Sequence, residues 1–247
     1  MNITFLGTNG WFDTPCGSTL CTLVETEQAY LILDAGSGFT KLDSHLTTPK
    51  PVYLFLSHFH LDHLIGLHTL PKFNLPQGLK IFGQPGTRAA LNTLLAPPWT
   101  APLDHCAYPI SLHELPEEAS LLPFAVQTLP LIHASPCVGY RFEIDDKVLA
   151  FCTDTGYCQE AVTLGRGADL LITECAHRPG ETNHGWPHLD PALAARIAGE
   201  AGARQLVLTH FDAQRYPTLQ DRQLALQAAR EHFANTHIAL DDLTLTC

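Results

Sequence analysis

An apolar run that ends in a cluster of histidines and an aspartate constrains this chain more than any other feature. Residues 52–57 read VYLFLS, and such a near-continuous apolar run is typical of a β-strand covered on both faces. The cluster that follows at the end of this strand consists of His58, His60, Asp62 and His63. A chance match to this His-x-His-x-Asp-His pattern has a probability of about 0.3% over the chain. Four such side chains would be poor core material, so the pattern predicts a metal site at a strand end.

The composition indicates a folded chain rather than a disordered or membrane-spanning one. The chain has 247 residues, of which 45% are hydrophobic and 16% charged, enough to build one large core. No run of 18 apolar residues occurs, as a transmembrane helix would need. The N-terminus lacks the basic region and cleavage site of a signal peptide, so we expect a cytoplasmic protein with no membrane partner.

The pattern of short apolar segments predicts an α/β fold. Strands are predicted over residues 2–6, 19–25, 30–34, 52–57, 126–131, 139–144, 148–152, 170–173 and 205–209. Helices are predicted over 64–70, 191–201 and 218–234, the second with Asp190 as N-cap. No linker or repeat divides the chain, so we expect a single domain over residues 1–247, with two packed sheets and helices outside.

The charge argues against binding of long nucleic acids. Lysine and arginine total 14 against 25 acidic residues, which gives a formal net charge of −11. Binding of long nucleic acids needs clusters of basic residues that neutralise phosphates, and no such run occurs.

The eight cysteines predict reduced, mostly buried thiols rather than a disulfide framework. No Cys-x-x-Cys pair occurs and no secretion signal precedes them, so a structural zinc ribbon is not supported either.

Three further residues follow predicted strands in order and complete a pattern. These are His133 in LPLIHAS, Asp154 in FCTDTG and His210 in LVLTHFD. With the His-x-His-x-Asp-His cluster, they make the chain resemble the metallo-β-lactamase superfamily over nearly its whole length. The resemblance implies a four-layer αββα sandwich with a binuclear metal site at one edge, between the sheets.

The resemblance also implies how the ligands are shared between two metal ions. The first ion would be held by His58, His60 and His133, and the second by Asp62, His63 and His210, with Asp154 bridging both. Imidazole and carboxylate ligands favour Zn²⁺, although Mn²⁺ or Fe²⁺ would also fit. A water shared by the two ions would lose its proton near neutral pH and act as the nucleophile. A histidine at position 60, where flavodiiron relatives carry glutamate, favours hydrolysis over redox chemistry.

Two residues in the last third narrow the resemblance to the ribonuclease Z branch of phosphodiesterases. Glu174 lies 20 residues after Asp154, and His188 lies 22 residues before His210. The resemblance implies that His188 is the general acid and Glu174 its orienting partner, with Asp62 counted among the catalytic residues as well. Asp34, after an early strand, would orient a ligand histidine.

The chain also departs from ribonuclease Z in ways that argue against transfer RNA as substrate. His133 and Asp154 are only 21 residues apart, which leaves no room for the arm that grips transfer RNA. His188-Leu189-Asp190 replaces the more usual His-Ser-Thr. We therefore expect hydrolysis of small or cyclic phosphodiesters or RNA ends, with a homodimer as the assembly common in this branch.

Two other functions stay open. A lactonase or thioester hydrolase would be supported by Tyr157, at a position where lactonases of the superfamily place a substrate-contacting tyrosine. A non-catalytic metal-binding protein is the third hypothesis.

Four residues outside the ligand pattern are candidate substrate contacts. Loops around Trp11, Trp99 and Trp186 would select the substrate, and the Trp99 loop is a candidate lid. Arg178 is a candidate phosphate contact.

Overall fold

Two large β-sheets form the centre of the protein, whose computed structural model describes residues 1–247. The strands in chain order are β1 (Asn2–Gly7), β2 (Asn9–Gly10), β3 (Cys21–Glu25), β4 (Tyr30–Leu33), β5 (Val52–Leu56), β6 (Leu79–Gly83), β7 (Ile110–Glu114), β8 (Ala125–Pro130), β9 (Val138–Ile144), β10 (Lys147–Cys152), β11 (Leu170–Glu174), β12 (Leu206–Thr209), β13 (Phe211–Asp212), β14 (Thr236–Ile238) and β15 (Thr244–Thr246). The α-helices are α1 (Thr87–Leu94), α2 (Gln159–Leu164), α3 (Pro191–Ala201) and α4 (Leu219–Arg230). The 3₁₀ helices are Ser37–Ser44, Leu61–His63, Ile65–Lys72, Leu103–His105 and Ala119–Leu121.

Each of the two large sheets combines parallel and antiparallel strand pairs. The first sheet has the order β15-β1-β3-β4-β5-β6-β7, and the second has the order β14-β12-β11-β10-β9-β8. Strands β4 to β7 run parallel, as do β10, β11, β12 and β14, whereas the remaining neighbours in both sheets are antiparallel. A separate two-stranded parallel sheet joins β13 to β2.

Three hydrophobic cores separate four layers, as the sequence predicted. The central core joins the facing sides of the sheets, where Phe55 of β5 packs against Phe142 of β9 with ring centroids 4.8 Å apart. A second core lies between the first sheet and its outer layer of 3₁₀ helices and α1. The third lies between the second sheet and α2, α3 and α4. The αββα sandwich is confirmed.

The outer helices follow their sequence signals with one correction. Asp190 caps α3 by accepting a hydrogen bond from the Leu193 amide at 2.8 Å, and the helix ends at Gly202 with a φ of 62°. The predicted helix over 218–234 is wrong at its end, because α4 stops at Arg230. The chain must turn there so that β14 can pair with β12. None of the helices combines the length and the apolar composition that a membrane span requires.

The carboxyl ends of the parallel strands meet at one edge, where the backbone is unusually strained. Seven non-glycine residues have a positive φ, and four of these lie at this edge: Trp11, Asp34, Asp154 and His210. Left-handed backbone is costly for such residues and clusters at functional sites. These backbone conformations turn each chain segment sharply out of its strand, so that the side chains at the turns converge.

Candidate metal centre

The first group of predicted ligands converges at the edge of the sandwich. His58 and His60 come from the turn after β5, and His133 from the loop after β8. One potential ligand atom from each, together with one from Asp154, all lie within 4.8 Å of one another. The Nε2 atom of His133 faces the Nδ1 atom of His60 at 3.3 Å. We call these three histidines the first half of the centre.

The second group lies directly beside the first. Asp62 and His63 belong to the short 3₁₀ helix after β5, and His210 follows β12. Their ligand atoms also lie within 4.8 Å of one another, and the Nε2 atoms of His63 and His210 are 3.2 Å apart. Asp62 Oδ2 is 3.5 Å from His210 Nε2. We call these three residues the second half of the centre.

Asp154 stands between the two halves and faces both. Its Oδ1 atom is 4.0 Å from His58 Nε2 and 3.8 Å from His133 Nε2. Its Oδ2 atom is 3.2 Å from His63 Nε2 and 3.3 Å from His210 Nε2. Each carboxylate oxygen of Asp154 therefore faces a different half of the centre.

The donor set fits a pair of divalent metal ions. Nitrogen lone pairs that face each other do not form a good hydrogen bond, but ligands of a tetrahedral zinc ion at about 2.0 Å lie about 3.3 Å apart. The Nε2 atom of His58 is buried and has no hydrogen-bond partner. Burial lowers the pKa of His58, His60 and His133, which favours the neutral imidazole that binds metals.

The side chains of the second half carry more charge than those of the first half. Burial alone would lower the pKa of His63, but the nearby carboxylates, Asp154 first, outweigh it and raise that pKa. The same balance raises the pKa of His210. Burial would raise the pKa of Asp154, but the charges of His210 and His63 hold it well below its usual range. A metal ion bound to this half would replace the protons of the His63 and His210 imidazoles.

A buried carboxylate orients His63, as the sequence predicted for Asp34. The Asp34 Oδ2 atom accepts a hydrogen bond from His63 Nδ1 at 2.8 Å. Ser57 fixes the same carboxylate by donating its amide to Oδ1 at 2.7 Å and its hydroxyl to Oδ2 at 2.8 Å. The remaining nitrogen of His63 is thereby directed at the centre.

His188 and Glu174 form a pair at the side of the centre. His188 Nδ1 donates to Glu174 Oε1 at 2.7 Å. The amides of Thr155 and Ala176 also donate to the fully buried Glu174 carboxylate. Burial of the imidazole would lower the pKa of His188, but Glu174 outweighs it and raises that pKa to about 9. A ligand atom of His188 lies within 4.8 Å of those of Asp154 and His210.

Two predicted substrate contacts have their polar groups bonded to other parts of the protein. The Tyr157 hydroxyl donates to Glu200 Oε2 at 2.5 Å, and its ring lies under the Arg196 guanidinium. The Arg178 guanidinium donates twice to the Arg215 carbonyl. Both side chains are held at the surface by protein partners, so neither interpretation is supported.

The three tryptophans differ in their relation to the centre. The Trp186 ring is 49% exposed and stacks on His60 with a centroid distance of 5.6 Å and an interplanar angle of 7°. The Trp11 amide donates to Asp62 Oδ2 at 2.8 Å, while its ring is exposed. Trp99 follows α1 in an exposed turn, and its role as a lid stays a prediction.

One residue at the centre carried no recognisable sequence signal. A Cβ atom on Gly10 would lie 2.5 Å from the Cε1 atom of His210, so the backbone packs directly on the imidazole. Gly10 lies 200 residues before His210 in the chain, and only the fold brings the two together.

The comparisons with known proteins agree with this architecture. Residues 30–211 match the family described as Beta-lactamase superfamily domain. The metallo-beta-lactamase fold protein YhfI from Bacillus subtilis superposes with a TM-score of 0.80 at 23% identity, over 99% of this chain and 98% of that chain. The short form of human tRNase Z superposes with a TM-score of 0.74 at 22% identity, over 100% of this chain and 99% of that chain.

A curated relative has a similar sequence over its full length. Ribonuclease Z from Acaryochloris marina is 28% identical over 307 aligned residues, which cover 98% of this chain and 96% of the relative. The alignment is longer than the 247 residues of this chain, so that ribonuclease contains segments which this chain lacks. The family match spans well over half of the sequence. The chain therefore belongs to the metallo-β-lactamase superfamily of hydrolases.

Proposed function

We propose that the protein hydrolyses small phosphodiesters at a binuclear metal centre. The observation that carries the proposal is the His188–Glu174 pair, at 2.7 Å, beside the ligand cluster. A metal centre alone would serve many hydrolytic reactions of the superfamily. A carboxylate-held histidine beside it adds a proton donor for a leaving alkoxide.

The ligand assignment follows the two halves. His58, His60 and His133 would hold one ion, Asp62, His63 and His210 the other, and Asp154 would contact both. Zinc is the ion that this mixture of imidazole and carboxylate donors favours, with Mn²⁺ and Fe²⁺ as alternatives. When bound, the two ions supply Lewis acidity and an activated water for hydrolysis.

His188 would deliver a proton to the leaving oxygen. Its Nδ1–H is committed to Glu174, so Nε2 is the atom left to face the substrate. Glu174 orients the imidazole, stabilises its charged form and is itself held by the amides of Thr155 and Ala176. The protonated imidazole would also stabilise negative charge on the phosphoryl oxygens in the transition state.

Several observations favour a small substrate over a long nucleic acid. The net charge of −11 disfavours a long polyanion. The relative named ribonuclease Z carries segments that this chain lacks. The exposed face of Trp186, which stacks on His60, would accept a planar group such as a base, a contact that contributes about 1–3 kcal/mol.

Tyr157, the residue on which the lactonase hypothesis rested, does not support it. Tyr157 is bonded to Glu200 and covered by Arg196, and neither partner is a metal-ligand candidate. The non-catalytic hypothesis has no observation in its favour, since all seven ligand positions are filled by metal-binding side chains.

Turnover of bis(p-nitrophenyl) phosphate by the zinc-loaded protein tests the proposal. We expect clear activity, and a loss of about 10²-fold or more in kcat for His188→Ala at unchanged zinc content. Glu174→Gln should lower kcat by a smaller factor. His184→Ala, in the exposed loop before His188, is the matched control and should leave kcat unchanged. Absence of wild-type turnover with two zinc ions bound would refute the phosphodiesterase proposal, and lactone and thioester turnover would then be measured.

Two further properties stay predictions. A cytoplasmic location suits the eight free thiols, five of which are buried. A homodimer is expected from the branch that the sequence resembles, and sedimentation equilibrium would measure it.

A further inference from the structure

Arg222 is a fully buried arginine whose hydrogen-bond partners are both neutral. It lies on α4 and is 0% exposed. Its Nη1 atom donates to Thr8 Oγ1 at 2.8 Å, and Nη2 donates to Asn9 Oδ1. Its Nε atom is buried without any partner. Burying a charge in this way is costly, so the position calls for an explanation.

A distant carboxylate compensates the charge only in part. Burial lowers the pKa of Arg222, and the negative charge of Asp241 opposes the shift. Asp241 acts through Thr8, whose hydroxyl donates to Asp241 Oδ1 at 2.8 Å. Stability alone would be served as well by an apolar side chain of similar size.

Arg222 contacts two chain segments, and each of them continues into the candidate metal centre. Thr8 and Asn9 precede Gly10 and Trp11, and the Arg222 guanidinium lies 4.8 Å from the ring of Phe211, which follows His210. These two segments pair as the parallel strands β2 and β13. Arg222 therefore joins both strands of this small sheet.

The small sheet contacts two ligand candidates of the second half. Gly10 packs against the His210 imidazole, because a Cβ atom there would lie 2.5 Å from Cε1. The next amide, that of Trp11, donates to Asp62 Oδ2 at 2.8 Å. A shift of β2 would move both contacts together, while no comparable contact reaches the first half.

We infer that Arg222 is a positioning residue for the second half of the metal centre. It clamps β2 to β13 and so fixes His210 and Asp62 relative to His63. The inference rests on the proposed binuclear centre. It assigns Arg222 an effect on the affinity for the second metal ion and none on the affinity for the first.

Stepwise zinc affinities of the full chain, measured by competition with a chromophoric chelator, test the inference. For Arg222→Met we expect one dissociation constant to rise about 10- to 100-fold, the range for partners that orient ligands, while the other stays within about twofold. Arg222→Lys keeps the charge but cannot donate to Thr8 and Asn9 in the same fork, so an intermediate rise is expected. Arg230→Met is the control, since Arg230 lies on the same helix but donates only to the Thr236 carbonyl at 2.9 Å.

Two additional measurements assign the effect to the right half. In a His60→Ala background the first half is disabled, and Arg222→Met should still weaken the remaining zinc site. Hydrogen exchange of the zinc-free protein should speed up for residues 8–12 and 210–213 in Arg222→Met, and stay unchanged there in Arg230→Met.

The outcomes separate this inference from the proposed centre. A lower melting temperature with both zinc affinities unchanged in Arg222→Met would overturn it and leave Arg222 a structural residue. If that variant does not fold, the zinc affinities of Thr8→Val and Arg222→Lys are measured instead. Wild-type affinities for both zinc ions in both variants would overturn the inference too. A wild-type protein that binds fewer than two zinc ions would refute the binuclear centre instead.

Discussion

His60 and His63 lie three residues apart in one turn, yet their imidazoles have very different surroundings. His63 is fully buried and donates Nδ1 to the Asp34 carboxylate at 2.8 Å. His60 is partly exposed, lies 3.2 Å from the Ser135 hydroxyl and stacks on the exposed Trp186 ring. A buried carboxylate thus supports His63, whereas a partly buried neutral hydroxyl and an exposed indole ring contact His60.

This difference suggests two tasks within the proposed metal centre, and we expect them to be separable by mutation. The second half is fixed by Asp34, by the backbone of β2 and by Arg222, so its geometry is set before any ligand arrives. The first half borders the exposed Trp186 ring, where a substrate can approach. We expect substrate specificity to depend on the first half and the affinity for the second metal ion to depend on the buried supports.

Removing the residue shared by both halves should have the largest effect. Asp154→Ala takes one carboxylate oxygen from each half, so we expect turnover to fall by far more than the roughly 100-fold typical of outer supports. Metal analysis by mass spectrometry should find fewer than two ions bound. A variant that keeps two ions and near-normal turnover would contradict the role of Asp154.

Asp34→Asn should weaken only the second half. An amide cannot hold His63 as the carboxylate does, so we expect a rise of about 10- to 100-fold in one zinc dissociation constant. The matched control is Asp43→Asn, which removes an exposed carboxylate paired with Lys72 and should change neither constant. Equal weakening of both zinc sites by Asp34→Asn would mean that the halves are not supported independently.

Gly10→Ala should disturb the same half by overpacking. The added methyl group would meet the His210 imidazole, and such crowding costs about 1–3 kcal/mol, or about 5- to 150-fold in affinity for the second zinc ion. Gly199→Ala, on α3 with nothing near its Cβ position, should instead stabilise the protein by about 0.5–1 kcal/mol. Isothermal calorimetry and thermal unfolding measure the two effects. Unchanged zinc binding in Gly10→Ala would show that His210 can shift freely.

Ser135→Ala should have the smallest effect. It removes one neutral hydrogen bond to His60, which contributes about 0.5–1.5 kcal/mol. We therefore expect less than about a tenfold change in zinc affinity, confined to the first half, measured by the same chelator competition. A larger change than that of Asp34→Asn would reverse the comparison between the halves.

Single strands, the start of α3 and the first ligand cluster could be predicted because their signals are local, whereas the four-layer arrangement and the full ligand set came from the resemblance to the superfamily. The apolar strand over Val52–Leu56 and the His-x-His-x-Asp-His cluster are adjacent in sequence, and Asp190 before Pro191 marks the start of α3. The end of α4 was missed because it depends on pairing between β14 and β12. The short helices α1 and α2 have only eight and six residues, too few for a clear helical period.

Apart from Asp34 and Glu174, the supports of the centre could not be predicted, because they join residues far apart in the chain. Arg222 and Asn9 are separated by 213 residues, and an arginine on an amphipathic helix normally faces water. The stacking of Trp186 on His60 and the hydrogen bond from Tyr157 to Glu200 depend on how loops pack against each other and against α3. Sequence spacing places such residues near the site without revealing which way they point.

The most direct test of the central claim is phosphodiester turnover during titration of the zinc-free protein with zinc. The account predicts no hydrolysis of bis(p-nitrophenyl) phosphate without metal, and activity that reaches its plateau at two equivalents. The His188→Ala variant should bind the same two equivalents and stay about 10²-fold less active in kcat. Full loading with two zinc ions and no turnover in the wild type would contradict the account, as would full activity at one equivalent.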